Sequence, residues 1–131
     1  MRFMSIVTSS QPPAPPTPQL LEAVHKLADR EIKAGRMLDS GGLMPVSTGA
    51  QVRIADGKVS VIDGPFVESK EMIGGYAIFE LRDKEEAVAL AVEFMQLHKE
   101  HMPGWEGTCE VRAYAMPHWD GVCEVDARAR A

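Results

Sequence analysis

The spacing of apolar positions divides the chain into stretches of period two and two longer stretches of period three to four, separated by glycine and proline clusters. Arg2 to Thr8 alternates Phe3, Ser5 and Val7 with Met4 and Ile6, which predicts a strand that is largely apolar on both faces. Five prolines between Ser9 and Pro18 lock φ and remove backbone donors, so neither helix nor central strand runs through that stretch. It reads as a stiff surface loop; the alternative, a proline-rich ligand for a recognition domain, lacks flanking arginines. Thr17 as N-cap, Pro18 at the first helical position and Leu20, Leu21, Val24, Leu27, Ala28 and Ile32 at three- and four-residue spacings predict an amphipathic helix. Gly35 closes it in the left-handed C′ position. Arg36 to Met44 then reads as a second strand, in which Gly41-Gly42 marks a bulge or a close backbone approach.

Gln51 to Ala55 and Lys58 to Ile62 both alternate and are joined by Asp56-Gly57, the dipeptide suited to the positive φ angles of a type I′ turn. A β-hairpin follows. Gly75 to Leu81 is a further strand with Tyr76 and Ile78 on one face and Ala77, Phe79 and Leu81 on the other. Asp83, with Glu86 three residues on, predicts the N-cap of a second helix. Its expected apolar face holds Val88, Leu90, Ala91, Phe94, Met95 and Leu97, with Glu86, Glu93 and Glu100 opposite. Thr108 to Ala115 alternates again and forms the last strand, with Cys109, Val111 and Ala113 against Glu110, Arg112 and Tyr114. The tail from Pro117 has no clear period.

The order β-α-β, hairpin, β-α-β specifies an α+β domain whose two helices cover one face of an antiparallel sheet. They cannot cover the other, although the first and fifth strands are apolar on both sides. A second copy of the chain is the simplest cover, because large exposed apolar patches are unusual in monomers and two-fold dimers are the commonest assembly. The expected protomer is ferredoxin-like with an inserted β-hairpin, dimerising through its sheet.

Length and composition narrow the function classes. At 131 residues, 45% hydrophobic and 25% charged, the chain suits one globular domain. Fourteen basic against nineteen acidic residues leave a net charge of −5 with no lysine/arginine block, so direct nucleic-acid binding is not expected. No apolar run approaches the ~18–20 residues that cross a bilayer, so membrane insertion is not expected either. The two cysteines, Cys109 and Cys123, and an N-terminus without a signal-peptide pattern point to a reduced, cytoplasmic protein. The absence of a phosphate-cradling glycine loop, a nucleophile elbow or a closed metal quartet in the sequence argues against nucleotide chemistry, triad hydrolysis and structural zinc, and no cofactor is expected.

The least ordinary stretch is Asp63-Gly64-Pro65-Phe66-Val67-Glu68-Ser69-Lys70-Glu71, followed by Ile73-Gly74-Gly75-Tyr76. It resembles the DGPF group of the YCII-related proteins, with Val67 and Ser69 where alanine and threonine are more usual. The resemblance extends over most of residues 1–116, taken as the domain, and leaves the Pro-rich loop and the tail 117–131 unmatched. It implies a dimeric α/β barrel of ferredoxin-like protomers, in agreement with the two-face argument. It implies no particular reaction. In the wider YCII-related set the catalytic pair is a histidine near the first helix and an aspartate after the second helix. His25 lacks the expected flanking residues and the segment HMPGWEG has no aspartate, so that pair is not carried over. The DGPF group is also associated with extracytoplasmic-function sigma factors, which implies a regulatory partner of that kind.

Chemically, the motif brings Asp63, Glu68, Lys70 and Glu71 to one turn. Carboxylates flanking an ammonium can bind a polar ligand or divide acid and base roles between them; equally, Asp63 can cap the turn and Lys70 can form a structural pair. His98 and His101, three apart near a helix end, are candidate general bases or, with Glu100, Glu106 or His118, metal ligands; favourable interaction with the helix dipole is the structural alternative. Trp105 either lines a pocket or seals a dimer edge, and Cys109 reads as a small core residue. Two function classes therefore stand. One is a homodimer with a small-molecule binding or catalytic pocket for an apolar ring or acyl compound, its candidate catalytic residues being Asp63, Lys70, Glu71, His98 and His101. The other is a non-enzymatic accessory module partnering a sigma factor.

Overall fold

The computed structural model describes residues 1–10, 15–63 and 71–115. The elements run β1 (Arg2–Ser10), α1 (Pro18–Lys33), β2 (Met37–Gly42), a short 3₁₀ turn (Val46–Thr48), β3 (Ala50–Ala55), β4 (Lys58–Asp63), β5 (Glu71–Glu80), α2 (Lys84–His101) and β6 (Gly107–Ala113). β2, β5, β1 and β6 form an antiparallel four-stranded sheet in that order, while β3 and β4 pair only with each other. This α+β arrangement is compatible with a ferredoxin-like protomer carrying an inserted hairpin. The described residues form no closed barrel.

The phases predicted for β1, β5 and β6 hold. Phe3 pairs with Phe79, and Ser5 with Ala77 and Val111, all facing the helices. Phe3, Phe79, Leu81 and Ala87 form the tightly packed core, with Met37, Ala77, Leu90 and Val111 against it. The opposite face carries Met4, Ile6, Tyr76 and Ile78 at its centre, each only partly covered. Arg2, Glu80, Asp39, Glu110 and Arg112 form its charged rim. In the hairpin, Asp56 (φ 52°) and Gly57 (φ 75°) take the left-handed angles that a type I′ turn requires.

Helix boundaries follow the expected caps. Thr17 Oγ1 accepts a hydrogen bond from Leu20 N at 3.1 Å and itself donates to the His101 carbonyl at 2.8 Å, so one hydroxyl caps α1 and ties it to the end of α2. Thr17→Val, which keeps the shape and removes both bonds, is expected to cost about 1–2 kcal/mol in urea denaturation. Thr17→Ser should retain most of that stability. Gly35 adopts φ 75° directly after the α1 cap. At α2, Asp83 accepts from Glu86 N at 2.9 Å, and the Glu86 side chain accepts from Arg82 N at 2.9 Å, one residue before the position of a standard capping box.

The helix faces differ from expectation. On α1 the buried positions are Leu20, Leu27 and Glu31, whereas Ile32 is exposed. A carboxylate takes the inward position because two arginines satisfy it there. On α2 the buried positions are Ala87 and His98, and Val88 and Val92 face outward. Glu93 lies beside α1, where it receives a bidentate Arg30 (2.7 and 2.8 Å), rather than on a purely solvated face.

Candidate functional site

Small side chains on facing surfaces leave a space between the sheet and the helices. Ser5, Ala77 and Gly75 line the helix-facing side of the sheet, and Ala28 and Ala91 stand opposite on α1 and α2. The result is a partly open cavity of about 370 Å³. Leu21, Val24, Leu90, Phe94 and Phe79 supply most of its apolar wall, and His25, Ser40 and Cys109 bring polar groups to it. The size and the apolar lining with a few polar groups are those of small-ligand pockets. Burial pushes the Cys109 thiol above its ordinary range, offset in part by hydrogen bonding from Ser5, so the thiol stays protonated at neutral pH and acts as a weakly polar wall.

At the α1 end of the cavity Glu31 is 1% exposed. Its carboxylate accepts from Arg36 Nε (2.7 Å), from a second Arg36 nitrogen (2.8 Å) and from Arg30 Nε (2.9 Å). The Arg36 bonds, followed by those of Arg30, outweigh burial and hold Glu31 down to about 2. Arg30, shared between Glu93 and Glu31, is raised by both. The two guanidinium groups roof the carboxylate, so this wall is a neutralised ionic lattice rather than a free acid.

The glycine pair in β2 turns out to be a close-approach device. A Cβ on Gly41 would meet the Tyr76 ring at 3.0–3.3 Å, and one on Gly75 would meet the Gly41 carbonyl at 3.0 Å. The register irregularity of β2 falls instead between Met37 and Asp39. Lying over Gly41, Tyr76 donates its hydroxyl to Asp39 at 3.2 Å, and this bond raises the phenol above its ordinary range. The Tyr76–Asp39 pair sits on the face of the sheet away from the helices.

The residues singled out from the sequence are distributed as follows. Asp63 ends β4 opposite Ala50, and Glu71 opens β5 opposite Ser10. Lys70 and the rest of the motif, residues 64–70, lie outside the described residues, as do Cys123, His118 and the tail. His98 is buried, its ring centroid 4.6 Å from those of both Phe94 and Trp105. Its Nδ1 is 3.1 Å from the Phe94 carbonyl, which only accepts, so Nδ1 carries a proton. His101 approaches Glu100 at 4.0 Å and offers its carbonyl to Thr17. Among the described residues no group of three or more His, Cys, Asp or Glu is placed to hold a metal ion. Trp105 packs on His98 and against Gly107, where a Cβ would collide with the indole and with the Thr8 carbonyl. The cavity itself had no motif; its only trace in the sequence is the run of small residues at Ser5, Gly75 and Ala77 in strands otherwise rich in large side chains.

The model of the YCII-related domain matches residues 1–94, most of the described fold from β1 into α2. The chain belongs to the YCII-related family. An uncharacterised protein of Rhizobium meliloti (strain 1021) is 32% identical over 60 residues, which cover 46% of this YCII-related chain and 48% of that protein. The chain thus spans about half the length of the curated relative it matches. No helix among the described residues of the YCII-related protein is long and apolar enough to cross a membrane.

Proposed function

We propose that this YCII-related protein binds, and acts on or senses, a small and mainly apolar ring or acyl compound in the cavity between its sheet and helices. The observation that carries this reading is the 370 Å³ space walled by Leu21, Val24, Phe79 and Phe94 and bordered by His25, Ser40 and Cys109. β5 begins at Glu71, the last residue of the DGPF-like segment, and its Gly75 lines the cavity, which supports a part for this strand in the site. On the DGPF-group reading, Asp63, Lys70 and Glu71 take part in binding or catalysis; His98, held between two rings, serves a structural part. The protein works as a two-fold dimer, in which two sheets cover each other's apolar centres of Met4, Ile6, Tyr76 and Ile78 within their charged rims, as in a dimeric α/β barrel.

The test is calorimetric titration with indole and with hexanoate, one ring and one acyl probe. Binding of at least one probe is expected, together with a loss of about tenfold or more in Ala28→Leu, whose added side chain occupies the cavity. Since space is available, Ala28→Leu should melt no lower than wild type. Equal binding by both proteins, or none of either probe, would overturn the cavity assignment.

A further inference from the structure

The cavity between sheet and helices is lined by few groups that can carry charge. Among the described residues its wall holds no lysine, arginine or aspartate, and its one glutamate is Glu31, already neutralised by Arg30 and Arg36. His25 is exposed and, with Leu21, also borders the hollow on the outer side of α1, so it stands at the mouth. Ser40, on the edge strand β2, is the other polar side chain there. A second polar pair lies farther in. Ser5 belongs to β1, two strands from β2, and Cys109 to β6, three strands from it, which at about 4.8 Å per strand puts them roughly 10 and 14 Å from that edge. Ser5 presents a hydroxyl on the side of β1 that otherwise carries Phe3 and Val7. A polar group in an apolar wall is costly unless it finds partners. The hydroxyl donates to the Cys109 thiol, and its oxygen retains lone pairs with which to accept.

Resting on the cavity reading above, we infer that the ligand is a neutral ring compound bearing an O–H or N–H donor, inserted so that this donor meets the Ser5 oxygen. Ser5 is then the residue that sets specificity within an otherwise apolar space. A carboxylate or ammonium group taken to the same depth loses its water with no countercharge to replace it, so ionised groups are kept from the inner end. A plain hydrocarbon fills the space but leaves the Ser5 oxygen without a donor.

Calorimetric titration with phenol, toluene and benzoate, which share one ring and differ in one substituent, tests this. In a wall without a hydrogen-bonding partner, phenol binds about tenfold or more weakly than toluene, because its hydroxyl gives up water and gains nothing. With Ser5 as partner, phenol is expected to bind at least as tightly as toluene, and benzoate about tenfold or more weakly than phenol. Ser5→Ala should move the phenol-to-toluene preference about tenfold toward toluene without weakening toluene itself. Ser5→Cys, which nearly keeps the volume and supplies only a weakly polar thiol, should do the same. Toluene bound more tightly than phenol, or a preference for phenol that neither variant moves, would overturn the donor assignment and leave the cavity reading standing. Benzoate bound best of the three would overturn the neutral class. No binding of any probe by the wild type would overturn this inference and the cavity reading together.

Discussion

Phe79→Ala is expected to destabilise the protein by about 3–5 kcal/mol, measured by urea or thermal unfolding, the largest single-residue effect anticipated. Phe79 is 6% exposed and belongs both to the packed core with Phe3, Leu81 and Ala87 and to the wall of the cavity. In most cores part of the cost of truncation is recovered when neighbours collapse into the space. Here one side of the ring already faces a void, so the new space joins the old one and little relaxation is available. Removing the ring also opens the core to whatever enters the cavity. The variant should therefore bind a larger ring compound than wild type does, and saturating it with such a compound should restore part of the lost stability through mass action. A loss under about 1 kcal/mol would show that Phe79 is not the partition between core and cavity.

Glu31→Ala is expected to cost about 2–3 kcal/mol. The carboxylate accepts three hydrogen bonds from Arg30 and Arg36, which would lose their common partner. Both arginines are about half exposed and can turn to water, which keeps the penalty below that of stranding a fully buried charge. The pH dependence has a definite sign. Glu31 ionises at about 2 in the folded protein against an ordinary 4.5, so its contribution is fully present above about 4.5 and is lost as pH falls through about 2. The wild type should lose stability across that window more steeply than Glu31→Ala. Parallel pH–stability curves for the two proteins would sink this account of the lattice.

Much of the fold could be read from residue order because its signals are local. Thr17-Pro18, Asp83 with Glu86, and Asp56-Gly57 each act on backbone groups within four residues, and the caps and the turn form as those residues predict. Strand phase was equally legible, since side chains in a strand alternate by covalent geometry. The helix faces were less so. Counting apolar residues put Ile32 inside and left Glu31 out, because periodicity counts greasiness and cannot see that Arg36, five residues on and beyond a turn, returns to satisfy a carboxylate. Gly41-Gly42 announced a close approach without naming the partner, which is Tyr76 on a strand 35 residues away.

The candidate site divides in the same way. The DGPF-like segment announced itself by composition, and with it the YCII-related family. The cavity, the Arg30–Glu31–Arg36 lattice and the Tyr76–Asp39 pair have no local signature. Each depends on residues from different elements meeting across the sheet or between helix and loop. By itself the sequence determined the elements, their caps and turn, the two-sided apolar character of β1 and β5, and the family. The tertiary structure alone decided which small residues face one another to leave a pocket, which buried carboxylate is neutralised, and that Val52, Ile54, Val59 and Val61 of the hairpin stay exposed among the described residues. The physical reason is range: capping and alternation act over a few bonds, whereas packing voids and ion lattices are set by distances between segments far apart in the chain.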